Sequence, residues 1–470
     1  MENQLEALTI IFTEVYYWIT VVLMFLIHVG FCMYEVSASR KKHMLHTLMK
    51  NTMLIPLVTV TFYCFGWWIY WAFQNGPGIT GGLIEAPWAT PWSELMGAHM
   101  GGTPVQKGLT TDQTVGWARI NGVFWAAFLL FSWTAASIVS GAVIERIRSS
   151  AFWILAIFIG SFCWILGAAW GWSENGWMVQ KLGYHDAYAS GVIHAIAGGF
   201  ALGVLIHLGA RIGKFAADGS PRIIRAHNPW LITVGIFLIY TGFWGFYVAC
   251  NIPILDIGEA AGMEVSFFST TNIYLTPTST SAITFNFLMS LSGGMLVGYL
   301  ISKGDPFWTY SLGLAGIIGA SAGNDLYHPI QAMLIGGCAA VVAYKMHHWV
   351  ERRFRIDDAV GAVAVHGYAG FYGVVVAGFV LWGYPSSMHA DYAAITPWGQ
   401  FLGAIIMFFV LGFIPGYIAA GILKSMGQLR VPAQVELAGL DISENDKAAS
   451  DVDAVAIAER GAAAHYGVTK

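Results

Sequence analysis

The composition of this 470-residue chain excludes an ordinary water-soluble protein. Apolar residues of the AVILMFWYC set make up 56%, whereas Asp, Glu, Lys and Arg together make up 11%, against about 25% in soluble domains. The 20 Trp and 55 Gly agree with this, because Trp collects at bilayer interfaces and Gly is frequent in spanning helices. The net charge is −4 and no basic run suggests a nucleic-acid partner. The sequence therefore predicts a polytopic membrane protein.

Eleven apolar stretches are long enough to cross a bilayer as helices, which takes about 20 residues each. They lie at 9–35, 51–74, 118–144, 151–172, 187–210, 229–250, 278–302, 308–324, 327–345, 359–383 and 396–423. The runs are continuous and do not alternate in ten-residue pieces, which favours helices over a β-barrel. We therefore predict an all-α polytopic membrane protein, with an eleven-helix membrane domain at 1–424 and a cytoplasmic tail at 425–470.

The basic residues predict how the chain is inserted, because Lys and Arg are enriched in cytoplasmic segments. With the N-terminus outside, twenty of the 23 Lys and Arg fall in inner segments, including Lys50 just before the second span. Only Lys107, Arg119 and Lys181 fall outside. With an even number of spans, the Lys and Arg residues would no longer collect on one side of the membrane. We therefore predict an outside N-terminus and an inside C-terminus.

Two similar stretches, 172 residues apart, indicate an internal repeat. One reads DAYASGVIHAIAGG from Asp186 and the other reads DAVGAVAVHGYAGF from Asp358, and in each a histidine follows the aspartate by eight residues. The two copies fall in the fifth and tenth spans, which run in opposite directions. The sequence thus predicts an inverted repeat of five plus five helices, an arrangement found in many transporters, with the eleventh helix added.

The histidines of this repeat, His194 and His366, are the main candidates for function. Each lies about 12 Å along its helix from the aspartate, so both imidazoles approach the middle of a core about 30 Å thick from opposite sides. Ionisable groups at this depth usually mark a pathway. The alternative is that each histidine only joins helices through a hydrogen bond. Asp186 and Asp358 have a strong structural alternative too, as caps of their helices.

Several segments, in order along nearly the whole chain, resemble the ammonium transporter/Rhesus family. They are GFCMYEVSASRKK from Gly30, SGAVIERIRSSAF from Ser140, GVIHAIAGG from Gly191, HNPWLITVGIFLIYTGFWGF from His227, DDAVGAVAVHG from Asp357 and LRVPAQVELAGLDISE from Leu429. The resemblance implies ammonium transport across the plasma membrane, no enzyme activity, no cofactor, and a homotrimer with one narrow pore in each protomer. It also implies a PII-type signal protein as a partner at the tail.

The resemblance further implies which side chains contact the substrate. In the family, a twin-histidine pair lines the pore, an aspartate is needed for transport, and a phenylalanine and a tryptophan stand at the outer vestibule. The predicted substrate-binding residues are His194, His366, Asp186, Phe131, Trp172, Phe246 and Cys250.

Three departures from the family concern the outer end of the pore. Ala127 stands where a second gating phenylalanine is usual, four residues before Phe131. Cys250, after Tyr247, replaces a hydroxyl that helps to bind the cation, and a thiol is a weaker hydrogen-bond partner. His28 is a vestibule residue or a helix-packing donor. From Ala127 and Cys250 we predict weaker discrimination against methylammonium than is usual in the family.

The predicted substrate-binding residues are of types that can separate ammonium from potassium, although the two ions have similar size and charge. Aromatic faces offset part of the desolvation of a cation, by about 0.5–2 kcal/mol for each contact. Ammonium can then lose a proton, which potassium cannot, and imidazoles can exchange hydrogen bonds with neutral ammonia.

Three rival functions remain open. They are a haem protein with His194 and His366 as axial ligands, a sensor that has the transporter fold, and a pore for another small solute such as a methylated amine. The haem interpretation is weakened because four-helix haem cores usually carry two histidines on one helix.

Overall fold

The computed structural model describes residues 2–76, 113–254, 259–260, 263–264 and 269–441. Lys107 and the later part of the predicted tail lie outside the described residues.

Long apolar helices make up most of the described chain. Those of 15 residues or more are α1 Glu2–Ala38, α2 Lys41–Ala72, α3 Gln113–Ala142, α4 Ser149–Gly171, α5 Ser190–Leu208, α6 Pro229–Ala249, α7 Thr280–Ile301, α8 Pro306–Ala320, α9 Pro329–Phe354, α10 Val363–Val380 and α11 Pro397–Ser425. Two short helices, Trp177–Leu182 and Ala433–Ala438, accompany them. Among the described residues, ten helices are long and apolar enough to cross a membrane. The chain is a multi-pass membrane protein.

Helix α8 is shorter than the other long helices. It has 15 residues and continues into the 3₁₀ turn Ser321–Gly323. It corresponds to the predicted span at 308–324, and each of the other predicted spans also corresponds to one long helix.

Helices α2 and α9 extend beyond their predicted spans through charged residues that do not end them. Helix α2 begins at Lys41, so Lys50, predicted to lie just before the second span, lies within the helix. Lys50 is buried, and its Nζ lies 3.5 Å from Oε2 of Glu35 in α1. The ion pair lets the lysine continue the helix. Helix α9 likewise runs to Phe354 and carries Arg352 and Arg353 in its last turn.

A small β structure follows α6, where the all-α prediction was wrong. The strands are β1 Asn251–Ile254, β2 Glu259–Ala260, β3 Met263–Glu264, β4 Ser269–Asn272 and β5 Pro277–Thr278. Strand β4 pairs antiparallel with β1, Asn272 opposite Asn251, and with β5, while β2 pairs with β3. Pro253 has no backbone N–H to continue a helix, and the extended chain satisfies its polar groups across strands instead.

Helices α5 and α10 carry the two repeat histidines, and they pack together through glycine. A Cβ atom built on Gly198 would lie 2.2 Å from Cα of Gly367, so only a hydrogen fits between the two backbones. Small residues are what lets two membrane helices approach this closely.

Both histidine helices begin in the same way. Oδ2 of Asp186 accepts hydrogen bonds from the N–H groups of Gly191 and Val192 at 2.8 and 2.9 Å. The carboxylate of Asp358 accepts from Ala362 and Val363, both at 2.9 Å. The capping interpretation is thus confirmed for both aspartates. Each first turn is a π-helix that contains the histidine, Ser190–Ala195 in α5 and Val363–Tyr368 in α10, and π turns frequently occur at functional sites.

The segment that follows α11 is docked against the end of α5. Arg430 donates to the carbonyl oxygens of Leu208 and Ala210 at 2.9 and 2.7 Å, and its guanidinium also pairs with Glu436. Oε1 of Glu436 accepts the N–H of Ile212 at 2.7 Å. The first part of the predicted tail is therefore fixed to the helix that carries His194.

A network of buried ions lies beside this contact. Asp357 accepts hydrogen bonds from Nε and Nη2 of Arg211 at 2.8 and 2.9 Å, and Arg146 lies 3.9 Å away. Burial acts to raise the pKa of Asp357, but Arg211 and Arg146 outweigh it and leave this pKa well below its usual range. The carboxylate is therefore ionised over the ordinary pH range.

Candidate functional site

The two repeat histidines meet in the interior. Nδ1 of His194 lies 3.1 Å from Nδ1 of His366, and the ring centroids are 5.1 Å apart with planes at 26°. Their exposed fractions are 0% and 3%. At this separation one Nδ1 donates and the other accepts, which leaves no room for the porphyrin plane of the rival haem interpretation. Because a neutral imidazole has one donor and one acceptor, the pair presents one Nε2 acceptor and one Nε2–H donor.

Aromatic rings continue the stack on both sides of the pair. His194 stacks on Phe246 of α6 with centroids 5.6 Å apart, and Phe246 meets Phe131 of α3 edge-on at 4.7 Å. Phe131 in turn contacts Trp172 at 5.0 Å. Beyond His366, the ring of Phe31 in α1 lies 6.3 Å away. We call this series the ring column; it consists of Trp172, Phe131, Phe246, His194, His366 and Phe31.

Five of the seven sequence-predicted residues thus lie in the ring column. All six of its members are buried. The faces of Phe131, Phe246 and Trp172 are the kind of surface that attracts a desolvated cation, and the imidazoles behind them offer hydrogen bonds to a neutral molecule. Phe131 and Phe246 touch, so the column is closed at this point.

Asp186 stands at the start of the helix that carries His194, outside the column. Besides the two backbone N–H groups, it accepts the phenol hydroxyl of Tyr184 at 3.1 Å. Its Oδ1 has no hydrogen-bond partner in the described part of the chain. Burial raises the pKa of Asp186, and the hydrogen bonds from Val192 and Gly191 oppose this effect.

Cys250 ends α6 and turns its thiol to its own helix. Its Sγ lies 3.1 Å from the carbonyl oxygen of Phe246, to which it donates. The hydroxyl of Tyr247 is 2.6 Å from Oγ of Ser321, and its ring stacks on Tyr188 at 4.4 Å. Both side chains are therefore held by protein partners.

An aromatic ring lies next to Ala127, the position at which the second phenylalanine is missing. Ala127 is fully buried, and the next ring on α3, Phe128, lies 5.9 Å from Phe131 and 5.7 Å from Trp172. Sequence reasoning did not single out Phe128, because among 69 aromatic residues only contacts across helices identify the relevant ones.

His28 belongs to a different contact. Its ring packs edge-on against Trp133 at 5.1 Å and Phe25 at 6.4 Å, and neither partner belongs to the ring column. This position supports a packing role for the ring of His28 between helices.

A cavity lies next to the column on the Phe31 side. It is lined by His366, Phe31, Tyr34, Glu35 and Ser137, among others. Glu35 is fully buried. Glu35 is therefore a further ionisable side chain at the cavity that His366 lines, and the sequence analysis did not assign it to the site. The sequence shows its carboxylate, but only the packing of α1 among helices distant in sequence brings it to the cavity.

The fold and this site define a multi-pass membrane protein with a buried histidine pair inside a column of aromatic rings. A model of the Ammonium Transporter Family matches residues 15–450, and the chain belongs to this family. The ammonium transporter Amt2 of Archaeoglobus fulgidus is 27% identical over 437 residues, covering 88% of this chain and 83% of that protein. Amt2 of Methanocaldococcus jannaschii is 28% identical over 428 residues, covering 90% and 88%.

Solved structures show the same fold. A structure titled Sensor Amt Protein superposes with a TM-score of 0.69 at 23% identity, covering 94% of this chain and 100% of that one. The Rh50 protein of Nitrosomonas europaea superposes with a TM-score of 0.58 at 19% identity, covering 89% of each chain.

Proposed function

We propose that the protein transports ammonium across the plasma membrane. The cation is recruited at the aromatic vestibule formed by Trp172 and Phe131, near Asp186, and it transfers its proton there to a water molecule of the vestibule. Neutral ammonia then passes Phe246 and the pair of His194 and His366 into the cytoplasm. Cys250, at the end of α6, contributes to the outer site.

The observation that supports this proposal best is the hydrogen-bonded histidine pair at the centre of a buried aromatic column. A bare cation in such a column would lose its hydration at a cost of many kcal/mol, and aromatic faces offset only part of that cost. A neutral molecule that both donates and accepts hydrogen bonds, as ammonia does, matches the one donor and one acceptor that the pair offers.

The architecture proposed for this function has eleven spans, which are the ten long apolar helices and the shorter helix α8. Two inverted halves of five helices carry the histidines, the N-terminus is outside and the C-terminus is inside. The unit is a homotrimer with one pore in each protomer, and a PII-type signal protein is the proposed partner at the cytoplasmic tail. Crosslinking of purified protein in a bilayer tests the trimer, since dimers or monomers alone would overturn it.

The test of transport is a flux assay on purified protein in proteoliposomes. We expect ammonium flux above that of protein-free liposomes, competition by methylammonium, and no competition by potassium. A purified, folded protein without ammonium flux would overturn the proposal and favour the sensor alternative. Flux of a methylated amine without ammonium would favour the alternative substrate.

A further inference from the structure

The two carboxylate oxygens of the buried Glu35 lie in different environments. Its Oε2 accepts hydrogen bonds from Oγ of Ser140 at 2.7 Å and from Nδ2 of Asn51 at 3.0 Å. The same oxygen forms an ion pair with Nζ of Lys50 at 3.5 Å. Its Oε1 has no hydrogen-bond partner in the described ranges. A fully buried carboxylate oxygen without a donor is costly, so this oxygen is the unusual feature of the cluster.

The unpartnered oxygen belongs to the cavity next to the ring column. Glu35 lines this cavity together with His366, and so does Gly141 of α3. A Cβ atom built on Gly141 would lie 3.4 Å from Oε1 of Glu35. Glycine at this position therefore leaves the space in front of the oxygen open.

Lys50 does not occupy the space beside Oε1. Its ammonium donates to the carbonyl oxygen and the hydroxyl of Ser140, at 2.7 and 2.6 Å. The lysine charge therefore balances Glu35 from the Oε2 side only. Because Glu35 and Lys50 together carry no net charge, the pair binds a further cation only weakly. Weak binding suits a position from which a substrate must leave.

The cavity walls fit a small cation better than an anion. A carboxylate oxygen only accepts hydrogen bonds, and the rings of Phe31 and Tyr34 offer aromatic faces that attract cations. The hydroxyl of Tyr34 is directed to Oγ of Ser311 at 3.0 Å. Glu35 is thus the charged acceptor that an ion in this cavity would meet.

We propose that Oε1 of Glu35 forms a second binding site for ammonium, on the side of the histidine pair away from the aromatic vestibule. The site holds the cation form between the pair and the cytoplasm, with Phe31 and Tyr34 around it. Ammonia that has passed the pair takes up its proton from cytoplasmic water, and ammonium from the cytoplasm returns it to water before it passes the pair. This inference rests on the proposed transport function, because it assigns the cavity to the same substrate.

The test compares the two directions of flux in proteoliposomes. Ammonium is supplied either on the side of the tail or on the opposite side, and the half-saturating concentration is measured for each. In the Glu35→Gln variant we expect this concentration to rise about tenfold for flux that starts on the tail side, through loss of a charge-assisted hydrogen bond. Flux from the other side should keep its half-saturating concentration within twofold. Glu14→Gln, the same change on the same helix about 32 Å away, should alter neither value.

A second variant leaves the ion cluster intact. Gly141→Ala places a methyl group 3.4 Å from Oε1 and against Val360, without removing any partner of Glu35 or Lys50. We expect the same one-sided rise as in Glu35→Gln. The inference is overturned if Gly141→Ala conducts with unchanged values from both sides, or if both directions are affected equally. If the parent protein itself conducts no ammonium, the proposed function fails instead.

Discussion

At the scale of single residues, the contact between His194 and His366 makes the first prediction. His194→Ala or His366→Ala removes one partner of the 3.1 Å hydrogen bond and leaves the other imidazole without it. We expect selective ammonium flux to be abolished or severely altered, while the variants still assemble. The measurement is ammonium flux with potassium competition in proteoliposomes.

His207→Ala is the matched control for the histidine variants. His207 lies on the same helix as His194 but packs on Tyr417 at 4.1 Å, so its loss should leave selectivity unchanged. Unaltered flux and selectivity in both pore variants would mean that His194 and His366 have a purely structural role.

The residues at the outer end make the second prediction. Ala127 and Cys250 offer a cation less aromatic surface and a weaker acceptor, at a cost of about 0.5–1.5 kcal/mol of hydrogen bonding for ammonium. A methylated amine has fewer N–H groups to satisfy, so we expect the parent protein to discriminate less against methylammonium than the Ala127→Phe, Cys250→Ser double variant does. Competition between the two substrates measures this.

The geometry defines how this second prediction can fail. Cys250 already donates to Phe246, and Phe128 already contacts Phe131 and Trp172. Equal discrimination by the two proteins would mean that these contacts, and not the two substituted positions, set selectivity. Cys163→Ser, a change at a buried cysteine of α4, serves as the control for thiol loss.

At the scale of helices, the crossing of α5 and α10 makes the third prediction. In Gly198→Ala, the new methyl group would lie 2.2 Å from Cα of Gly367, and backbone cannot move aside as a side chain can. Overpacking of this kind costs about 1–3 kcal/mol. We expect a lower Tm in detergent and reduced ammonium flux.

Gly421→Ala is the matched control for this crossing. The nearest atom to its methyl group is Nε2 of His207, at 3.2 Å, and that side chain can turn away. A Gly198→Ala protein as stable as the Gly421→Ala protein would show that the two helices tolerate separation.

The helices were predictable from the sequence because each apolar run is nearly free of charge, and length alone then identifies it. The approach of His194 and His366 was predictable as well, because a repeated spacing from a capped helix start fixes the depth of each ring. Glu35 was not predictable as part of the site, since its importance depends on contacts between helices distant in sequence. The start of α2 before Lys50 was not predictable for the same reason, because a lysine paired with a buried carboxylate can lie inside a helix.

At the scale of the whole molecule, the buried ions beside the docked tail make the fourth prediction. Asp357→Asn removes the charge that pairs with the buried guanidiniums of Arg211 and Arg146. Loss of one partner from a buried pair costs about 3–5 kcal/mol, so we expect a clearly lower Tm at pH 7. Asp218→Asn, at an exposed carboxylate, should change little.

The pH dependence of this effect has a definite sign. The pKa of Asp357 is lowered in the folded protein, so its stabilising contribution is present above the unfolded pKa of about 3.9 and is lost as the pH falls through the folded value. The difference in Tm between the parent and Asp357→Asn should therefore stay constant from about pH 8 to pH 5 and shrink only in stronger acid. A difference that grows on acidification would contradict this account.

The contact between Phe131 and Phe246 has a consequence for how temperature acts on the protein. With ring centroids 4.7 Å apart, a molecule in the proposed transport would pass only while one phenyl ring has rotated out of the way. Rotation of a ring packed on all sides needs its neighbours to loosen for a moment, because protein interiors are packed as densely as organic crystals. Under the proposed function, conduction would then occur in brief openings whose frequency rises steeply on warming. A smaller side chain at position 131 would weaken this dependence on temperature even where the substrate gradient is unchanged.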